Sequence, residues 1–186
     1  MRLKQLFSVI LFTAILGSCG DEVLPKPKAY LQLEYPAHQY ETLRSKCPYI
    51  FEKSVYAKLE DKGKCWVNLV YPKMKATIYL SYYPVTNNID SLLRDAQKLA
   101  LDHTIKAQGI IDQPFVNPDD KVYGNFYSIQ GDAASQSHFY LTDSTDHFFT
   151  GSLYFYSKPN YDSIYPAAVY LQKDIRKIME SFRWKE

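Results

Sequence analysis

The sequence predicts an α+β fold, a three-layer α/β/α sandwich built on a central antiparallel sheet. Three observations carry this expectation. Runs of strand-like sequence are separated by two helices, each with its own apolar stripe. Several strand runs hold apolar or aromatic residues on both alternating faces, so both sides of one sheet need covering. Seventeen Tyr and ten Phe favour half-buried strands over an all-helical bundle.

The chain opens with Arg2 and Lys4, an apolar run over 6–16, and the small residues Gly17 and Ser18 directly before Cys19. A basic head, an apolar middle and small residues before a cysteine make the pattern of a bacterial lipoprotein signal. Its chemistry is that the Cys19 thiol takes a diacylglycerol, the peptide bond before Cys19 is cut, and the new amino terminus is acylated. The apolar run is roughly half the ~20 residues a spanning helix needs, so 1–18 are expected to leave as a signal peptide. Residues 19–29 then form the lipid anchor and tether, because Pro25 and Pro27 block helix and favour an extended, solvated spacer. Residues 30–186 remain as a single α+β domain, long enough to bury a core. At ~0.8 kcal/mol per buried methylene, two or three acyl chains hold a protein far more firmly than one.

Within the domain, alternation over 30–35 predicts a short strand that Pro36 closes, followed by a polar passage through Arg44. Residues 49–51, 55–59, 66–71 and 76–82 read as four strands, with 55–59 and 66–71 turning around Asp61-Lys62-Gly63. Asn88 is placed to cap a helix over 89–107 through its side-chain oxygen, with Asp90 in the first turn and Gly109 at the far end. Ile89, Leu92, Leu93, Ala96, Leu99, Ala100 and His103 recur at three and four and form its core stripe. Pro114, Pro118, Asp119 and Asp120 suggest a loop over 110–120 with a short edge strand at Phe115 and Val116. Strands over 122–130, 137–142 and 147–157 form a meander, the last two joined by Asp143-Ser144-Thr145-Asp146. Asp162 or Ser163 can cap the second helix, with Pro166 in its first turn. Its stripe is Ala168, Leu171, Ile175, Ile178 and Phe182, while Lys173, Asp174, Arg176, Lys177 and Glu180 are expected in water. A long hairpin followed by this helix resembles the close of PsbP-like and Mog1-like domains, a likeness of order and pattern that bears on fold.

A net charge of +2 gives no large field to draw nucleic acid. With Cys19 assigned to lipid, Cys47 and Cys65 remain in a chain that its signal sends to an oxidising compartment. A disulfide between them closes a loop of ~19 residues and contributes on the order of 3 kcal/mol through chain entropy. A straight hairpin over 55–70 leaves Cys47 beyond its partner strand, so the bridge needs a bend, which Glu52-Lys53-Ser54 can supply. Two buried free thiols are the alternative.

The sequence holds no Gly-x-Ser-x-Gly elbow, His-Glu-x-x-His, Cys-x-x-Cys or glycine-rich phosphate loop. His103 reads as a packing residue, and Asp119 with Asp120 as a solvated turn rather than a Ca²⁺ site. Pairing Thr142 with His147 puts His138 and His147 on one face about four strand positions apart, too far to share a metal. Ser135, His138 and a distant Asp leave a triad open, since triads need no sequence motif. Tyr79, Tyr83, Tyr154 and Tyr156 are candidates for a glycan or protein surface, with cross-strand packing as the plainer role. The expectation is no catalytic, metal or cofactor site, and Cys19 as the lipidated residue.

A resemblance narrows this further. The stretch Leu24-Pro25-Lys26-Pro27-Lys28-Ala29-Tyr30-Leu31-Gln32-Leu33-Glu34-Tyr35-Pro36 is followed by Cys47-Pro48-Tyr49-Ile50-Phe51-Glu52. Later come Cys65-Trp66-Val67-Asn68-Leu69-Val70-Tyr71-Pro72 and Lys75-Ala76-Thr77-Ile78-Tyr79-Leu80-Ser81-Tyr82. This set resembles the gliding-motility lipoprotein GldD family over nearly the whole chain. The resemblance implies an outer-membrane lipoprotein, lipid-anchored on the periplasmic face, needed for gliding and linked to type IX protein secretion. It implies partners among the gliding and secretion machinery and brings no catalytic residue to carry over. Ala29 stands where the family has Gly, a departure that touches no functional residue. An assembly or stabilising factor acting by protein contact is the leading expectation. The alternative is a periplasmic cell-wall glycan binder or hydrolase.

Overall fold

The computed structural model describes residues 34–101, 107–156 and 160–185. Cys19, the tether and His103 lie outside the described residues. The elements are β1 (Tyr40–Thr42), β2 (Tyr49–Ile50), β3 (Glu52–Ser54), β4 (Lys58–Asp61), β5 (Val67–Tyr71), β6 (Ala76–Pro84), α1 (Ile89–Leu101) and β7 (Ala107–Asn117), then β8 (Val122–Gly131), β9 (Ser135–Thr142), β10 (His147–Phe155), α2 (Tyr161–Glu180) and β11 (Arg183–Trp184). Seven strands form one antiparallel sheet in the order β4-β5-β6-β10-β9-β8-β7, and two helices pack on it. β1 pairs with β3, and β2 with β11, in two short ribbons outside that sheet.

Alternation in β5 and β6 sets Val67, Leu69, Ile78 and Leu80 on a common face. Phe139, Leu141 and Phe149 continue that face, and Leu171, Ile175, Ile178 and Met179 of α2 join them in one buried cluster. Each such side chain contributes about 1.5–3 kcal/mol when fully buried. Phe139 crosses β10 at Gly151, where an added Cβ would stand 2.3 Å from its ring. Phe182, just past α2, closes the core against Phe149 at 4.9 Å between ring centroids, and β11 then returns to β2.

Several expected elements differ. Of the strand expected over 30–35 only Glu34 and Tyr35 are described, as irregular backbone, the rest lying outside the described residues, and the first described strand lies in the polar passage, at β1. The edge strand expected at Phe115 and Val116 is present but runs for 11 residues as β7, taking in most of the expected loop. It tolerates Pro114 because it lies at a sheet edge, where a missing N–H need not break the ladder. Gly109 lies inside β7, and Ala107 already opens that strand, so the first helix is shorter than the 89–107 its stripe suggests. The Asn88 carbonyl receives the amides of Ser91 and Leu92, while its side-chain oxygen accepts from Thr86 at 2.8 Å. α2 likewise starts from the Asn160 carbonyl, and the Tyr161 amide donates to Asp132 rather than to Asp162 or Ser163. Pro166 lies in the second turn of α2 rather than the first.

The β9–β10 register is also shifted by one residue. Thr142 faces Phe148, and His138 faces Ser152. His147 is drawn into the turn because Asp143 Oδ1 accepts the amides of Thr145, Asp146 and His147 at 2.9–3.0 Å. Thr142 Oγ1 donates to the His147 carbonyl at 2.6 Å. A one-residue shift changes the face, so the two histidines lie on opposite sides of the sheet. His138 lies beside Tyr127 and Ser152, and His147 beside Tyr82 and Trp184.

Candidate functional site

Two structures fix the first described stretch of chain onto the rest of the fold. The first is the Cys47–Cys65 disulfide, whose Cα atoms are 5.4 Å apart. The bend it requires comes just after the place expected, because Glu52–Ser54 is itself strand β3 and the chain turns over 54–57, where the Ala57 amide meets the Ser54 carbonyl. β3 thus stays with β1 while β4 enters the large sheet. Lys64 and Cys65 adopt left-handed backbone with φ of 54° and 61°, bringing the loop back toward Cys47. Tyr49 Oη donates to the Cys65 carbonyl at 2.9 Å and holds this return in place.

The second structure is a clamp around Asp174. Asp174 lies on α2, three residues after Leu171 and four before Ile178, so helical spacing turns it inward. Its side chain is 1% exposed. Such a carboxylate is costly to bury without donors. Tyr71 Oη donates to Oδ2 at 2.9 Å, Tyr40 Oη donates to Oδ1 at 3.1 Å, and His38 Nδ1 lies 2.8 Å from Oδ1. Burial, then the Asp174 charge, push the Tyr71 and Tyr40 phenols far above the ordinary tyrosine range. Stacking completes the clamp: His38 lies 4.2 Å from Tyr170 between centroids, Tyr35 lies 4.8 Å from it, and Tyr170 Oη donates to the Pro36 carbonyl. These residues therefore fasten 35–40 to α2.

Asp174 contradicts its expected place in water. A charged residue at a stripe position was the available signal, but nothing near it in sequence supplies the donors. The other candidates separate. Ser135 Oγ donates to the Ser137 and Leu153 carbonyls, while His138 Nδ1 lies 2.8 Å from Ser152 Oγ, so the triad pair is not brought together. Asp120 takes a bond from Asn117 and pairs with Arg183 at 2.7 Å. Tyr79, Tyr154 and Tyr156 do meet, with Tyr79 and Tyr156 hydroxyls 2.9 Å apart and Thr77 beside Tyr156. The bond to Tyr156, then burial, push Tyr79 up to about 12. Tyr83 packs on Trp66 instead.

Among the described residues no helix is long and apolar enough to cross a membrane, and no group of three or more His, Cys, Asp or Glu is placed to hold a metal. No curated protein and no solved structure matches this chain. The family model described as Gliding motility lipoprotein GldD matches residues 20–184, and the chain belongs to that family of lipid-anchored gliding motility proteins.

Proposed function

We propose that this gliding motility lipoprotein is anchored in the outer membrane by acyl chains on Cys19 and acts by protein contact, as an assembly or stabilising factor for the motility apparatus and its linked type IX secretion. Its partners are other proteins of that machinery. Residues 1–18 are the signal peptide, 19–29 the anchor and tether, and 30–186 the single domain. A tethered domain gains effective concentration for partners at the same membrane, which suits a role without catalysis.

The observation that carries this reading is the Asp174 clamp. A pull arriving through the tether meets His38 and Tyr40 bonded to α2, so it passes into the packed core instead of peeling a strand. The Cys47–Cys65 bridge secures the next stretch of chain. The layering proposed for the domain is α/β/α, in the hairpin-then-helix order shared with PsbP-like and Mog1-like domains. It is supported by Gln172 of α2 bonding Ser137 while α1 lies against β9 with Gln97 near Tyr140, residues of opposite parity on that strand.

Deleting the gene should abolish colony spreading and secretion together. Replacing Cys19 with alanine should do the same while the chain is still exported. An exported Cys19→Ala chain that restores both would overturn the anchored reading.

A further inference from the structure

The clamp leaves an apolar groove beside it. A cavity of about 650 Å³ opens between the incoming chain and the end of β5. Its walls include Tyr35, Tyr56, Pro72 and Met74, and exposed Lys58 and Lys73 stand among them. Tyr56 is 40% exposed, a large aromatic left toward solvent. A second groove of about 210 Å³ shares Tyr35, Lys73 and Met74 and extends the apolar floor toward the start of α2. Aromatic and aliphatic walls with ammonium groups among them have the chemistry of an amphiphile site: an acyl chain fits the floor and an anionic headgroup meets the lysines.

The position of the groove selects the source of that amphiphile. Glu34, the first described residue, lines it and stands fifteen residues after Cys19. Fifteen residues reach at most about 50 Å when fully extended, so an anchored domain stays within that distance of its bilayer. The groove opens where the chain arrives from the membrane, and any folding back of the tether brings this side to the headgroups. We infer that this groove docks the domain onto the anchoring membrane by taking an anionic phospholipid, with Lys58 and Lys73 at the headgroup and Tyr35, Tyr56 and Met74 along the acyl chain. The inference rests on the proposed anchoring at Cys19. It adds a second, reversible membrane contact, so the domain has a docked and an extended state on one tether.

The test uses the mature acylated protein reconstituted into vesicles of phosphatidylcholine alone or of equimolar phosphatidylcholine and phosphatidylglycerol. Amide hydrogen exchange is read by mass spectrometry. Exchange at 55–58 and 73–75 should slow on the anionic vesicles relative to the neutral ones. A lysine near an anionic surface is worth about fivefold in affinity, so changing Lys58 and Lys73 together to glutamine should weaken docking roughly 25-fold and erase the difference. Unchanged protection in β8 and β9 shows that the variant is folded. Protein that floats with both vesicles yet exchanges equally on them overturns docking and leaves the anchor standing. Equal slowing on both vesicles and in detergent assigns the groove to the chain's own tether or lipid and also overturns docking. Protein that floats with neither vesicle overturns the anchor and the inference built on it.

Discussion

The two helices carry similar apolar stripes and are held very differently. α2 buries eight residues, Asp174 among them, because it is covered by the sheet and also by β3 and the clamped chain before it. α1 lies against β9 and β10 and buries Ala96 and Ala100, while Leu99 and Leu101 are 40% and 54% exposed. A stripe thus identifies the inward side of a helix without giving its depth. Depth comes from what returns to cover the helix, and among the described residues β3 and the chain over 35–40 return over α2. The element nearest the proposed pull is the one packed from two directions.

The sharpest test of that contrast removes the same atoms from each helix. Leu171 is fully buried, so Leu171→Ala should cost about 4 kcal/mol, the transfer loss together with the cavity left behind. Leu99→Ala on α1 should cost well under about 1 kcal/mol, because much of the side chain is already in water. Urea denaturation of the mature chain measures both. Equal losses would mean that α1 is covered as deeply as α2.

A smaller effect isolates the clamp from the packing. Asp174→Asn keeps the side-chain shape and removes the charge that receives Tyr71, Tyr40 and His38. One donor loses its acceptor in a buried site, which costs about 2–3 kcal/mol. The same substitution made with Tyr71→Phe should cost less than the two changes summed, since the pair shares one bond. Strict additivity in that double-mutant cycle would show that Tyr71 and Asp174 do not act together.

Fold is most legible in the sequence where the physics is local. Val67 to Tyr82 and Val122 to Phe155 alternate plainly, and β5, β6, β8, β9 and β10 lie close to where that alternation puts them. β1 and β3 have no such signal, since three residues each are held by pairing such as Tyr40 with Ser54. The edge strand at Phe115 and Val116 is legible, but the full length of β7 is hidden by Pro114, which reads as a breaker ahead of it. Charge alone assigns Asp174 to water, because its donors Tyr71, Tyr40 and His38 lie more than a hundred residues away, where periodicity along one helix cannot register them. Cys47 and Cys65 were legible as a pair by compartment and count, although the bend that joins them depends on where β3 ends. Cys19 and the small residues before it are read from sequence order alone and lie outside the described residues.

The smallest expected effect lies on the α1 side and depends on pH. The β9–β10 loop receives the Val85 amide at the Asp146 carbonyl, so it holds the approach to α1. Asp143 organises that loop. Burial raises its carboxyl, but the amides of Thr145, His147 and Asp146 outweigh burial and bring it below the ordinary 3.8. A carboxyl lowered on folding stabilises fully above its unfolded value, and that contribution fades as pH falls through the lower folded one. Solvent screens this partly exposed loop, so the contribution is at most about 1 kcal/mol. Thermal unfolding followed from neutral pH down to pH values below 3.8 should show the wild-type chain losing its advantage over Asp143→Asn only in the acid range. Hydrogen exchange over the same range should rise first in β9, β10 and α1 while α2 stays protected. Simultaneous loss of protection in both helices would show that they unfold as one unit and that the difference in burial does not separate their stabilities.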